Sequence, residues 1–266
     1  MKRIDVLSLG AGTQSSAMLL MAAHGDLPKP DYVIFADTGW EPKIVYDWLE
    51  KLQNYVKSYG IEIITTSAGN IREDVLRNHP IGKRVASMPF YTKDKDGKKG
   101  IVMRQCTMEY KIAPINKKVR ELLGYKPRQK VRETVHMWRG ISTDEIVRVK
   151  PSKIKWIVHE HPLVDKGMDR QDCIQYVLEK MGELPPKSSC IGCPFHNDEM
   201  WLWIKNNFPS EWREAVEFDK AIRKSPRYKS ELYLHKSCVP LDEVDFNDDQ
   251  MTIDDFLNEC EGMCGV

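Results

Sequence analysis

The chain has 266 residues, enough for one substantial domain with an appendage and ample for a buried core. Its 40 Lys and Arg residues against 39 Asp and Glu leave a formal net charge of +1, so no global field argues for a nucleic-acid or membrane-surface partner. No apolar run is long enough to span a bilayer, and Met1-Lys2-Arg3 leads into a strand rather than a signal-peptide core, which reads as a soluble, cytoplasmic protein.

Ile4, Val6, Leu7 and Leu9 predict one short buried strand. Gly10 and Gly12 then permit a sharp turn, and Ser15, Ser16 and an apolar run from Ala17 to Met21 predict a helix that closes near Ala23. A glycine turn at a helix N-terminus exposes N–H groups and suits a phosphate. The turn lacks the Gly-Lys-Ser/Thr ending of a Walker A loop, and Gly-x-Gly-x-x-Ser stops one residue short of the dinucleotide fingerprint. Residues 25–30 form a punctuated loop, Tyr32 to Ala36 a second strand, and Pro42 opens a helix through Ile44, Trp48, Leu52 and Val56. Ile61 to Thr65 predict a third strand. Strand and helix alternating over short loops indicate an α/β fold with a doubly wound parallel sheet. Ligands of such sheets sit beyond the strand C-termini, which places residues 10–16 and Asp37, Thr38 and Gly39 on one rim. Asp37 there is a candidate for a ribose hydroxyl, a metal or the cap of the next helix.

Residues 92–100 read as a charged, flexible loop. A helix follows from about Ile112 to Leu123, then a fourth strand at Val135–Trp138 and a last strand-like segment over 159–164. Asp169 to Met181 predict an amphipathic helix, with Cys173 as a small core residue. Residues 183–189, with Pro185 and Pro186, read as a linker. This divides the chain into an α/β domain at 1–182 and a mainly helical, Cys-containing region at 183–266 that ends in an acidic tail. Trp201 and Trp203 fit either a buried helix face or a base-stacking surface.

Four segments between residues 4 and 195 resemble the PP-loop ATP pyrophosphatases, and within them the phosphoadenosine phosphosulfate (PAPS) reductase-like family. They are Ser8, Gly10, Ala11, Gly12, Thr13, Gln14, Ser15 and Ser16; Phe35 to Pro42; Arg104 to Ile115, with Cys106 and Lys111; and Arg139, Gly140 and onward to Arg148. Gly10 and Ala11 stand where the family commonly has Ser and Gly, Gln14 replaces a frequent Asp, Gln105 replaces one cysteine of a pair, and Ser142 replaces an Arg. The resemblance implies a five-stranded HUP/Rossmann-like sheet that binds ATP or a PAPS-like adenylyl sulfonucleotide. Displacing a charged leaving group needs donors and cations, so Lys111, Arg139 and Arg148 are candidate clamps and Mg²⁺ a candidate helper.

Seven cysteines, an odd number, argue against a disulfide framework. Cys190-x-x-Cys193 alone suits zinc, an iron–sulfur cluster or a redox dithiol. The resemblance joins Cys106 to this pair as the ligands of a [4Fe–4S] cluster, with zinc as the alternative. It also makes Cys260 and Cys264 candidates for the thiol that attacks the sulfonucleotide sulfur. The implied activity is sulfonucleotide reduction or ATP-dependent sulfur transfer. The implied partners are a nucleotide, a sulfur donor or thioredoxin-like reductant, and a metabolite or nucleic-acid acceptor. A non-catalytic nucleotide-binding module with structural zinc and a Rossmann-type dinucleotide oxidoreductase stand as alternatives.

Overall fold

The computed structural model describes residues 3–78 and 88–246. Five parallel strands form the central sheet: β1 (Arg3–Leu9), β2 (Tyr32–Asp37), β3 (Ile63–Ser67), β6 (Thr134–Trp138) and β7 (Ile157–Glu160), in the order β3-β2-β1-β6-β7. This is the expected doubly wound α/β sheet.

Strand alternation decides which side chains face which layer. On one face, Leu7 and Leu9 of β1, Val33 and Phe35 of β2 and Trp138 of β6 pack under three helices: α1 (Thr13–His24), α2 (Lys43–Lys57) and α6 (Arg170–Met181). Val45, Trp48, Leu52 and Val56 repeat at helical spacing and turn one face of α2 inward. Cys173 of α6 lies in this core. On the opposite face, Ile4, Val6, Ile34, Ala36, Val135 and Met137 pack beneath Ile115 and Val119 of α4 (Ala113–Leu122).

A second core grows over one end of the sheet. Trp40, Ile71 and Val75 of α3 (Ile71–Asn78), Phe90 and Tyr110 pack with Trp201 and Ile204 of α7 (Asp198–Asn207) and Phe218 of α8 (Pro209–Ile222). This core crosses the expected boundary at 182/183, so residues on both sides of it are buried together. Trp201 is fully buried there, and the half-buried Trp203 meets the Phe208 ring edge-on at 4.7 Å. Both belong to the packing of the helix.

Two expectations are corrected. The charged segment 92–100 is part of a hairpin, in which β4 (Tyr91–Lys93) pairs with β5 (Lys99–Ile101) and with β8 (Glu231–Tyr233) in an antiparallel sheet. Asp94 nucleates its turn by accepting the N–H groups of Asp96 at 3.0 Å and Lys98 at 2.8 Å. The segment 159–164 is not one strand. The strand β7 stops at Glu160, and Pro162, which has no N–H for a ladder, starts the short helix α5 (Pro162–Asp165). Cys260 and Cys264 lie outside the described residues.

Candidate active site

The turn between β1 and α1 is held by one hydroxyl. Ser15 Oγ accepts the Gly10 N–H at 3.2 Å and donates to the Gly12 carbonyl at 3.2 Å. Between the glycines, Ala11 adopts a left-handed φ of 58°, a conformation usually left to glycine. Gly140 lies directly on this turn. A Cβ there would stand 3.1 Å from the Ser15 nitrogen and 3.3 Å from Gln14 Cβ, so only glycine lets the Arg139 segment approach without displacing its neighbours. Gln14 Nε2 reaches Ser142 Oγ at 3.4 Å and Glu145 Oε2 at 3.3 Å, binding the same segment to the start of α1.

A first cavity of about 110 Å³ opens beside this turn. The backbone turn and hydroxyls (Ser8, Gly10, Gly12, Gln14, Ser15) form one side and the cations Lys111, Arg139 and Arg148 another. Ala36, Ile112, Ile115 and Ile141 supply apolar wall. Burial, followed by the neighbouring Arg148, lowers the Arg139 pKa from its ordinary value. Burial and the like charge of Arg148 both disfavour the charged form of Arg139. Arg148 pairs with Glu145 at 2.6 Å, while its Nε is buried without a hydrogen-bond partner among the described residues.

Other members of the predicted set lie elsewhere. Ser16 is fully buried, and its Oγ accepts the indole N–H of Trp48 at 3.0 Å, so it faces α2. Ala11 and Thr13 are buried in the turn and do not line the cavity. Asp37 Oδ1 accepts from the Gly39 N–H at 2.7 Å and from the Tyr46 hydroxyl at 2.8 Å, which organises its own loop. Thr38 faces a second cavity, where it donates to Glu41 Oε1 at 3.1 Å and stands 3.3 Å from Cys190 Sγ.

That second cavity, about 30 Å³, is lined by Cys106, Cys190 and Cys193 together with Met88, Tyr110 and Phe195. Burial, then Glu41, raises the Cys190 thiol well above its ordinary value. A Cβ on Gly192 would stand 2.2 Å from the Trp40 ring, so glycine alone lets the Cys-x-x-Cys turn rest on that indole. His196 is held neutral: burial lowers its pKa to about 3, and its Nε2 meets the Cys190 carbonyl at 3.0 Å. Among the described residues, no three His, Cys, Asp or Glu side chains are arranged to hold a metal ion. The three thiols share one wall of this cavity.

Lys111 lines both cavities, and its Nζ stands 3.3 Å from Glu41 Oε1. Glu41 was not singled out from the sequence, although it lies inside the Asp37–Pro42 segment as a carboxylate among small and apolar neighbours. Ser188 was missed as well. It donates to the Gly10 carbonyl from a stretch that reads only as linker.

Among solved structures, the chain is similar to phosphoadenylyl-sulfate (PAPS) reductase from Candida auris in its phosphate complex, with 15% identity and a TM-score of 0.42, over 67% of this chain and 72% of that one. No family model and no curated protein matches the chain. No helix among the described residues is long and apolar enough to cross a membrane.

Proposed function

We propose that the first cavity binds the phosphate chain of ATP or of a PAPS-like adenylyl sulfonucleotide, and that the chain is a PAPS reductase-like enzyme of sulfur metabolism. The observation that carries this reading is the meeting of Lys111, Arg139 and Arg148 with the α1 N-terminal turn in one cavity beyond the strand C-termini. The four sequence segments that resemble the family supply these residues. Backbone amides and the helix end receive the phosphoryl oxygens, and the cations neutralise charge that develops on a departing pyrophosphate, sulfite or nucleotide group. Asp37, Thr38 and Gly39 shape the adjoining rim and Ser16 anchors α1 to α2, so both sets support the cavity from behind.

The sulfur step is assigned to thiols. Lys111 ties the anion cavity to the cavity of Cys106, Cys190 and Cys193, and the tail cysteines Cys260 and Cys264 are the candidates for attack on a bound sulfonucleotide. That attack breaks the sulfur–oxygen bond to the nucleotide phosphate, leaving a cysteine S-sulfonate and releasing the adenosine phosphate. A thioredoxin-like dithiol then reduces the S-sulfonate, releasing sulfite and the free thiol and becoming a disulfide.

Calorimetric titration with ATP and with PAPS, followed by measurement of AMP and pyrophosphate release and, with a dithiol reductant supplied, of sulfite release, tests the reading. Binding of one of the two with product release, lost in Arg139→Ala, is the expected result. A protein that binds neither, or an Arg139→Ala variant of unchanged affinity, sinks it. Iron, sulfide and zinc assayed after anaerobic purification decide separately whether the thiol cavity rearranges around a metal.

A further inference from the structure

A third cavity, larger than the other two at about 250 Å³, adjoins the first and shares Ile112, Ile115, Arg139, Ile141 and Arg148 with it. Its floor is apolar: Ile115, Met137 and Ile157 come from the core beneath α4, and Ile154 closes one side. Its rim is basic, with Lys150 and Lys153 exposed at the mouth and Arg139 and Arg148 in the wall shared with the first cavity. Glu145 partly neutralises Arg148, yet none of the described residues lining the cavity is a carboxylate.

Two imidazoles complete the lining. Burial, aided by the charge of Arg139, lowers the pKa of His159, and burial with His159 and Arg139 lowers that of His161. His159 Nδ1 lies 2.9 Å from the Lys150 carbonyl, so that nitrogen carries the proton and Nε2 is left as an acceptor. Neutral imidazoles and isoleucine walls suit a flat organic body, and the arginines and lysines suit a negative group attached to it.

We propose that this cavity binds a small planar organic anion, a second ligand held beside the nucleotide. The assignment of a role to that anion rests on reading the first cavity as the nucleotide site. The shared arginine wall is the physical reason for pairing them. Arg139 and Arg148 line both spaces, so one pair of cations meets the negative groups of both ligands.

Naphthalene-2-sulfonate, an aromatic body with a fixed negative charge, is the probe. Calorimetric titration of the full chain, with and without saturating ATP, is compared with neutral naphthalene-2-methanol and repeated on the Lys150→Glu/Lys153→Glu variant. Both lysines are exposed, so this variant keeps its fold, which circular dichroism checks. One-site binding that survives ATP is expected, with affinity roughly tenfold lower both for the neutral probe and for the charge-reversed variant. Displacement of the probe by ATP would make this space part of the nucleotide site and overturn the proposal. Absence of binding, or binding indifferent to charge on probe or protein, also overturns it. If the probe binds as expected while ATP does not bind at all, the cavity assignment stands and the nucleotide reading fails alone.

Discussion

The first and second cavities share one sheet end and one side chain, Lys111, yet their walls impose opposite chemistry. Around the β1–α1 turn, backbone amides, hydroxyls and guanidinium groups are arranged for negative charge. A few ångströms further, burial and a carboxylate keep Cys190 protonated among apolar side chains. Charge is stabilised on one side and suppressed on the other, and the buried pair Lys111–Glu41 is the divide. The lesson is that a single ion pair set between two cavities lets adjacent sites differ, because Lys111 adds positive charge to the first while Glu41 acts on Cys190 in the second.

Breaking the divide has the largest expected effect. Lys111→Ala leaves the fully buried Glu41 carboxylate without this partner and should cost about 3–5 kcal/mol of stability, read as a lower denaturant midpoint. Adding Glu41→Gln should recover most of that stability but none of the anion affinity. Equal loss in the single and double variants would show that the pair is not the divide. Next, Gly192→Ala drives a methyl group into the buried Trp40 ring and should cost about 1–3 kcal/mol, seen as a fall in Tm, while anion binding per folded molecule is retained.

On the anion side, Arg139→Ala should weaken ATP or PAPS binding by about 10- to 100-fold, with the circular dichroism spectrum unchanged. Ser15→Ala removes both bonds of the hydroxyl that pins the turn and should cost about 1 kcal/mol, shared between stability and affinity. The smallest effect concerns pH. The pKa values of His159 and His161 in the folded chain lie below the ordinary 6.5, so the unfolded chain binds protons first as pH falls. Their contribution is therefore present above pH 6.5 and is lost as pH drops below it. Both groups are partly solvated, so His159→Gln should flatten the decline in Tm between pH 7 and pH 5 by an amount worth less than about 1 kcal/mol.

The strand–glycine–helix opening and the central sheet were legible in the sequence because their signals are local. Period-2 alternation sends Val6 and Leu7 to opposite faces, and helical spacing turns Val45, Trp48 and Leu52 inward. The same local reading gathered residues 10–16 with Asp37, Thr38 and Gly39 on one rim, since a parallel sheet brings its strand C-termini together, whereas Arg139 and Arg148 entered through the family resemblance. It did not tell Ser15, which closes the turn, from its neighbour Ser16, which points to Trp48, because one residue of helix rotates a side chain by about a quarter turn.

What the sequence alone determined is the parallel sheet and the glycine turn at the C-terminal end of its central strand. Only the tertiary structure decided what separates the anion site from the thiols. Thr38 meets Cys190 across 152 positions and Ser188 meets Gly10 across 178, and neither pairing leaves a periodic trace. The hairpin at residues 91–101 likewise depends on β8, more than a hundred residues later. Such contacts arise from packing of the second core over the sheet end, where shape and burial select partners that local propensity does not encode.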